Sequence, residues 1–211
     1  MIHFCRIFFD MKVLVFDTET TGIPIPNKGL EEQPYICQFA GVIYEISLNE
    51  KKLTELKRMD LLIKPPVLIP RECRFIHGIT DEMVANEPVF NEVSSNILDL
   101  FHEADIAAAH NIEFDVAMLR NELARLGKNT LFLPDQTFDT MKETKEVCNI
   151  PGRSGGLKSP TLSELYKCLF GKQFDGAHNA LNDVLATGEC LDFLLKKGIF
   201  VPIESNQESL F

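Results

Sequence analysis

The sequence predicts one α/β domain built on a mixed β-sheet. Three strand-like segments, at residues 13–16, 35–47 and 53–63, come first and are rich in β-branched and aromatic side chains. After Gly78 short strands alternate with helices, an order typical of a mixed sheet with helices on its faces. The 211 residues, 45% of them hydrophobic, are enough for one buried core.

The elements after Gly78 are predicted from apolar spacing and from capping residues. Apolar side chains between residues 88 and 102 recur as on the buried face of a helix. Asn111 and Asn179 are predicted N-caps, and Gly127 is a predicted stop. The predicted helices cover residues 88–102, 111–126, about 140–148, 162–170 and 179–197, a short helix opens at Thr80, and short strands lie at 105–109 and 138–139.

The net charge argues against a protein that binds phosphate backbones through basic side chains. Lys and Arg number 21 against 31 Asp and Glu, which gives a formal charge of −10. Non-specific affinity for nucleic acid comes mainly from cationic side chains that release counterions. The argument is weaker for a protein whose carboxylates hold divalent cations, because the bound cations make the local electrostatic field attractive to phosphate.

Cysteine usage and the lack of long apolar runs indicate a cytoplasmic protein. None of the six cysteines forms a C-x-x-C pair and most lie in apolar patterns, which favours buried reduced thiols over disulfides or zinc ligands. Arg6 interrupts the apolar residues 1–9 and no small-residue cleavage site follows, so we do not expect a signal peptide. No apolar run is long enough to span a bilayer.

Acidic residues stand at the ends of three predicted elements. Asp17 and Glu19 are two apart at the end of the first strand, so they point to the same side of an extended chain. Asp115 and Asp183 fall near the starts of two helices, the latter with His178 in the loop before it. Taken singly, each feature has a simpler explanation than a metal site. The two strand acids could be a solvated strand end, Asp115 could stabilise the helix dipole, and His178 could be an ordinary surface histidine. Together they favour a site for Mg²⁺ or Mn²⁺, of the kind that cleaves phosphodiesters with two ions.

Four segments resemble, in order and spacing, the motifs of the DEDDh 3′→5′ exonucleases, the family of the proofreading subunit of bacterial DNA polymerase III. Residues 13–22 (VLVFDTETTG) resemble the first motif and residues 110–115 (HNIEFD) the second. Residues 178–183 (HNALND) resemble the third, and residues 76–82 (IHGITDE) are similar to a stretch typical of the proofreading branch. The resemblance covers about residues 12–197 without a departure at the five defining positions. It implies a ribonuclease-H-like fold, with a five-stranded mixed sheet flanked by helices.

The resemblance also implies a role for each of the five residues. Asp17, Glu19 and Asp183 would hold one divalent ion, Mg²⁺ or Mn²⁺, and Asp17, with Asp115 through water, would hold a second. His178 would be the general base that takes a proton from the attacking water, a role that an imidazole can fill near pH 7. The expected reaction is hydrolysis of DNA from its 3′ end to nucleoside monophosphates, for proofreading or repair.

Six further residues are expected to contact the 3′-terminal nucleotide. The set consists of Thr18, Thr20, Ile76, His77, Asn111 and Phe114. The two threonines would offer backbone N–H groups, the isoleucine and histidine would stack on or wedge beside the last base, and the other two would line the same pocket. For Phe114, a place in the core as an aromatic residue of a helix is an equally good explanation.

The C-terminus is predicted to be a flexible tail that binds a partner. We place the exonuclease domain at residues 12–198 and the tail at residues 199–211. In the tail, Gln207, Ser209, Leu210 and Phe211 resemble the short motif with which bacterial replication proteins bind the sliding clamp. A tail that folds back on the domain, or a chance match, is an equal alternative. A DNA polymerase is the other expected partner.

Two further functions stay open at this point. An exoribonuclease would use the same fold and the same five residues, because the chemistry takes place at the phosphate and only a contact to the 2′-hydroxyl separates RNA from DNA. A non-catalytic subunit that binds a polymerase or clamp is the third hypothesis. Such relatives usually lose a metal ligand, however, and this chain keeps all five residues.

Overall fold

A five-stranded mixed sheet forms the centre of the structure, a computed structural model that describes residues 11–128, 131–153 and 155–203. The strands are β1 (Met11–Thr20), β2 (Ile36–Ser47), β3 (Lys52–Leu62), β4 (Ile106–Ala109) and β5 (Gln136–Asp139), in the order β3-β2-β1-β4-β5. β1, β2 and β3 pair antiparallel, whereas β4 runs parallel to both β1 and β5. The predicted five-stranded mixed sheet is confirmed.

Helices cover both faces of this sheet. They are α1 (Arg71–His77), α2 (Asp81–Val84), α3 (Phe90–Glu103), α4 (Ile112–Arg125), α5 (Thr140–Glu143), α6 (Lys145–Cys148), α7 (Leu162–Phe170) and α8 (Ala180–Lys196). Among the described residues, none of the helices is long and apolar enough to cross a membrane.

Alternation along β1 divides its side chains between two cores. Leu14 and Phe16 pack with apolar residues of α3 and α4, and Phe16 meets Phe101 edge to face with ring centroids 4.9 Å apart. Val13 and Val15 pack with apolar residues of α8 on the other face. Successive side chains of a strand point to opposite faces, so each later residue of β1 also belongs to either the α4 side or the α8 side.

Two helical segments differ from the prediction. Helix α1 was not predicted, because its seven residues are too few for an apolar period to show and none of them is buried. The predicted helix over residues 140–148 is broken at Thr144 into α5 and α6. The buried Thr144 hydroxyl donates to the carbonyl oxygen of Thr140 at 2.6 Å, and this kind of bond bends helices.

Asn111 precedes α4 as predicted, but it does not cap the helix with its side chain. Its backbone is left-handed, with φ 78°, and no capping bond from its side chain is found in the described part of the chain. Its N–H donates instead to Asp139 Oδ1 at 3.0 Å. The start of α4 is therefore fixed by an acid at the end of β5.

The domain extends past the predicted boundary at residue 198. Phe200 is 1% exposed and its ring lies 4.9 Å from that of Phe138. Gln136 of β5 donates to the Val201 carbonyl at 2.9 Å and accepts from the Ile203 N–H at 2.9 Å. Residues 199–203 therefore belong to the folded domain, because an aromatic side chain and two backbone groups find partners along β5.

The predicted burial of the cysteine thiols holds only in part. Among the described residues, Cys37 and Cys190 are buried, Cys73 and Cys148 are partly exposed, and Cys168 is exposed, all as free thiols. Burial does not describe Cys168, which lies on the outer side of α7.

Candidate active site

Two carboxylates lie on one face of β1 near its carboxyl end. Asp17 and Glu19 are two residues apart, so both lie on the side of the sheet that packs against α8. In the register of the sheet Asp17 lies opposite Ala40 and Glu19 opposite Gln38. Both acids are therefore held within a paired strand, which is longer than the predicted residues 13–16.

The third acid comes from the start of α8, on the same face. Asn179 caps this helix, because its Oδ1 accepts the N–H of Asn182 at 3.2 Å. One turn along, Asp183 points toward the acids of β1. One carboxylate oxygen from each of Asp17, Glu19 and Asp183 lies within 4.8 Å of the other two. The structure thus brings an acid of the last helix to two acids of the first strand.

His178 lies beside this cluster, just before the helix cap. Its backbone N–H donates to Asp183 Oδ2 at 3.3 Å, and its side chain is exposed. Its φ of 66° is left-handed, which is uncommon for a residue other than glycine. The histidine therefore stands at the rim of the cluster in a conformation that the sequence did not reveal.

Asp115 approaches from the opposite face of β1. It is 2% exposed, lies in the first turn of α4, and its Oδ1 accepts the backbone N–H of Thr18 at 2.9 Å and the Thr18 hydroxyl at 2.7 Å. Thr18 lies between Asp17 and Glu19 and points to the α4 side. The structure therefore leaves Asp115 outside the group of three, as a charged neighbour of Asp17.

The same contacts correct the prediction for Thr18. Its backbone N–H was expected to contact a terminal nucleotide, but that group already donates to Asp115. This contact could not be predicted, because partners 97 residues apart leave no local pattern in the sequence. Thr18 orients an acid of the site and has no free N–H for substrate.

Burial raises the pKa values of all four acids, and the charges of the other site acids raise those of Asp17 and Glu19 further. Loss of solvation comes first in each case, and it raises the pKa of Glu19 to about 8, that of Asp115 to about 7 and that of Asp183 to about 6. The pKa of Asp17 is raised well above its ordinary value by burial and then by the charges of Asp115, Asp183 and Glu19. Asp17 and Glu19 in particular resist ionisation near neutral pH unless a bound cation offsets the repulsion.

The residues present fit a divalent metal ion. Asp183 Oδ1 is buried and finds no hydrogen-bond partner within the described residues. A buried carboxylate oxygen without a partner is costly, and a cation shared by the three acids would be the missing partner of Asp183. Oxygen donors of this kind suit hard cations such as Mg²⁺, Mn²⁺ or Ca²⁺. The three acids of β1 and α8 are therefore a candidate site for a divalent ion.

These pKa shifts predict that the metal-free protein loses stability as the pH rises. The folded state keeps protons that the unfolded chain has already released, so the free energy of unfolding falls as the pH approaches the folded pKa values. We expect a fall of about 2 kcal/mol between about pH 6.5 and about pH 8. The measurement is denaturant unfolding in the presence of a chelator.

A variant isolates the contribution of the acids from that of the other titrating groups. Asp17→Asn keeps every cysteine and histidine but removes one carboxylate, so its stability should change less over the same pH range. Addition of Mn²⁺ to the wild type should abolish the fall, because the ion binds the ionised acids. Metal-free wild type that becomes more stable over this range would contradict the proposed repulsion.

His77 and Thr20, two of the predicted substrate residues, contact each other. His77 Nε2 lies 3.3 Å from the Thr20 carbonyl oxygen, and its Nδ1 accepts the N–H of Ile79 at 3.0 Å. The ring therefore donates to Thr20 through Nε2, and partial burial lowers its pKa. His77 thus ties α1 to the end of β1, two residues past Thr18, and its contact with a base stays a prediction.

A large aromatic residue beside this contact was missed in the sequence. Phe75 is 92% exposed and its neighbour Ile76 is 55% exposed, both on α1. Two adjacent large apolar side chains that are both exposed are unusual for a surface helix. The neighbouring apolar residues Phe75 and Ile76 could have indicated this surface. Only Ile76 was considered, because it alone fell inside the segment that resembled a family motif.

Asn111 and Phe114 lie on the α4 side of the site. Asn111 is held by Asp139 through its backbone, as described above. Phe114 is partly buried and packs against the core between the sheet and the helices α3 and α4. Its position agrees with the core alternative, and the predicted substrate contacts of both residues stay predictions. The predicted clamp-binding residues Gln207, Ser209, Leu210 and Phe211 lie outside the described residues.

A family described as "Exonuclease" (RNase_T) matches residues 14–191 of this chain. The chain belongs to this exonuclease family. It is 26% identical over 201 residues to the DNA polymerase III subunit epsilon of Buchnera aphidicola subsp. Schizaphis graminum (strain Sg), and the match covers 94% of this chain and 77% of that protein. It is 33% identical to the 3′-5′ exonuclease DinG of Bacillus subtilis (strain 168) over 88% of this chain, which is 18% of that longer protein.

The fold of the exonuclease is also found in solved structures. The nuclease domain of 3′hExo, described as a DEDDh family member and bound to rAMP, superposes with a TM-score of 0.69 at 16% identity, and covers 92% of this chain and 96% of that one. The predicted ribonuclease-H-like fold is thereby confirmed, and the family match with the similar epsilon subunit confirms the resemblance to the exonucleases.

Proposed function

We propose that this exonuclease is a metal-dependent 3′→5′ enzyme that hydrolyses DNA from its 3′ end to nucleoside monophosphates, for proofreading or repair. The observation that carries the proposal is the meeting of Asp17, Glu19 and Asp183 beside His178 at the end of β1. The 33% identity to a 3′-5′ exonuclease supports the direction. The similarity to an epsilon subunit of DNA polymerase III supports DNA as the substrate.

The proposed cofactor is a pair of Mg²⁺ or Mn²⁺ ions. We assign one ion to Asp17, Glu19 and Asp183, and the second to Asp17 with Asp115 acting through water. Such a pair, when bound, stabilises the attacking and leaving oxygens of a phosphodiester. The contacts of Asp115 support its outer role, because one of its oxygens already accepts two hydrogen bonds from Thr18.

His178 is the proposed general base. Its backbone bond to Asp183 places it next to the metal ligands, and its exposed imidazole is accessible to a water molecule. The imidazole takes the proton of the attacking water as the new bond from oxygen to phosphorus forms. The bond between phosphorus and the 3′ oxygen of the preceding nucleotide breaks, that oxygen takes a proton from solvent, and the terminal nucleotide leaves as a 5′-monophosphate.

The 3′-terminal nucleotide is proposed to lie against the exposed apolar side chains of α1. Phe75 and Ile76 present a surface on which a base can stack, and stacking on an aromatic residue contributes about 1–3 kcal/mol per base. His77 holds the Thr20 backbone next to that surface. Affinity would then come from this surface and the metal ions, which suits a protein with a net charge of −10.

Digestion of end-labelled strands tests the proposal. DNA and RNA of one sequence, each labelled at the 5′ or the 3′ end, are incubated with Mg²⁺, Mn²⁺ or a chelator. We expect 5′-labelled DNA to shorten stepwise, 3′-labelled DNA to lose its label at once, and the chelator to stop both. Release from the 5′ end would contradict the direction, and faster digestion of RNA would favour an exoribonuclease. Inactivity with both metals would leave the non-catalytic hypothesis.

We also propose that residues 207–211 bind a bacterial sliding clamp and so keep the enzyme near a DNA polymerase. Deletion of these residues should abolish binding to the clamp, measured by surface plasmon resonance, because it removes both Leu210 and Phe211 from the end of the chain. Digestion of a short free strand should be unchanged, since the active site is intact. Clamp binding that survives the deletion would contradict this part of the proposal.

A further inference from the structure

The turn before α8 has an uncommon backbone conformation. Gly176 has a φ of 74° and His178 a φ of 66°. Glycine adopts such values freely, but in a histidine they bring the Cβ atom close to the following carbonyl oxygen. A residue keeps such a conformation only where its surroundings hold it there. Contacts that hold the whole turn must therefore keep His178 in place, in addition to the bond from its own N–H to Asp183 Oδ2 at 3.3 Å.

Asn182 provides the first of these contacts. Its Nδ2 donates to the Gly176 carbonyl oxygen at 3.1 Å, and a Cβ atom at Gly176 would come within 2.3 Å of that same nitrogen. Its own backbone N–H is held by Asn179 Oδ1 at 3.2 Å. Asn182 thus closes the turn against the first turn of α8, one residue before Asp183.

Gln38 provides the second contact, from the sheet. Its Oε1 accepts the N–H of Ala180 at 3.2 Å and lies 3.5 Å from Asn179 Nδ2, while its Nε2 donates to Asp60 Oδ1 at 2.8 Å. The side chain is 2% exposed, and Gln38 is the cross-strand neighbour of Glu19. The residue beside one proposed metal ligand therefore also fixes the start of the helix that carries another.

We propose that Asn182 and Gln38 are positioning residues that hold the imidazole of His178 over the three acids. This inference rests on the proposed function, in which His178 is the general base. A general base works only within hydrogen-bond reach of the proton that it takes. Loosening of the turn therefore lowers kcat through His178 and leaves KM unchanged, since neither residue lies on the surface of α1 proposed to bind the nucleotide.

A double-mutant cycle tests this role. Asn182→Ala is made in the wild type and in His178→Ala, and both rates are measured on 5′-labelled single-stranded DNA with Mn²⁺. We expect Asn182→Ala to lower kcat about tenfold at unchanged KM in the wild type, and to have no further effect in His178→Ala. An equal loss in both backgrounds, or no loss, overturns the proposal. A wild-type kcat in His178→Ala overturns the assignment of the base itself, and the proposal with it.

A second readout does not depend on activity. The ¹⁵N relaxation of the His178 amide is measured in metal-free protein for Asn182→Ala and Gln38→Leu, with unfolding midpoints recorded to show that both are folded. Asn91→Ala serves as a control, because Asn91 is an exposed asparagine in the first turn of α3. We expect the order parameter of the His178 amide to be lower in Asn182→Ala and Gln38→Leu than in the wild type, and to be unchanged in Asn91→Ala. An amide as rigid as in the wild type in both variants overturns the proposal.

Discussion

Asp17→Asn is expected to abolish exonuclease activity without unfolding the protein. Asp17 is the acid whose pKa is raised by all three of its acidic neighbours, so it lies at the centre of their combined charge. Asparagine has almost the same shape but offers one neutral oxygen in place of a carboxylate. We expect the rate with Mn²⁺ to fall to below about one thousandth of the wild-type rate, measured by release of mononucleotide from 3′-labelled DNA.

The same change should make the metal-free protein at least as stable as the wild type. The variant has no buried acid at this position that must either stay protonated or repel its neighbours when the chain folds, a gain of about 1 kcal/mol near pH 8. Asp99→Asn, at an exposed position of α3, is the matched control and should keep full activity. An active Asp17→Asn protein would remove the assignment of the site, and an inactive but unfolded one would remove the claim that repulsion dominates.

His178→Ala is expected to slow hydrolysis while metal binding is retained. The imidazole lies beside Asp183 but belongs to the exposed rim of the cluster, so its loss leaves the three carboxylates in place. General bases contribute roughly 10²–10⁴-fold to rate, and we expect kcat to fall within that range in single-turnover digestion. Binding of Mn²⁺, measured by calorimetry, should match that of the wild type.

The control for this variant is His102→Ala. His102 is exposed on α3 and stacks near Phe132, on an element that does not carry the acids. It should digest DNA at the wild-type rate. If His178→Ala were as active as His102→Ala, another group would have to take the proton. If His178→Ala lost Mn²⁺ binding, the histidine would act through the metal ligands and not as a base.

Those parts of the site that depend on local periodicity could be predicted from the sequence. The i, i+2 spacing of Asp17 and Glu19 places them on one face of a strand, and Asn179 caps the helix that brings Asp183 to that face. Both features are short-range, so they are visible in a single sequence. The five-stranded sheet needed more, since pairing of strands far apart in the chain came from the resemblance to a family.

The parts that depend on long-range contacts could not be predicted. Thr18 meets Asp115 across 97 residues, and Gln38 meets Ala180 across 142. Nothing in the spacing of such pairs indicates that they touch. The left-handed conformation of His178 was equally hidden, because histidine favours ordinary backbone values and only tertiary contacts hold it elsewhere.

Titration of the metal-free protein with Mn²⁺, in the absence of nucleic acid, tests the shared metal site most directly. Isothermal calorimetry on the wild type, Asp17→Asn, Asp183→Asn and Asp99→Asn compares two proposed ligands with an exposed acid of α3. We expect both ligand variants to bind at least about tenfold more weakly than the wild type, and Asp99→Asn to bind equally well. Equal affinities for all four proteins, or no binding by the wild type, would contradict the claim that acids of β1 and α8 share a cation.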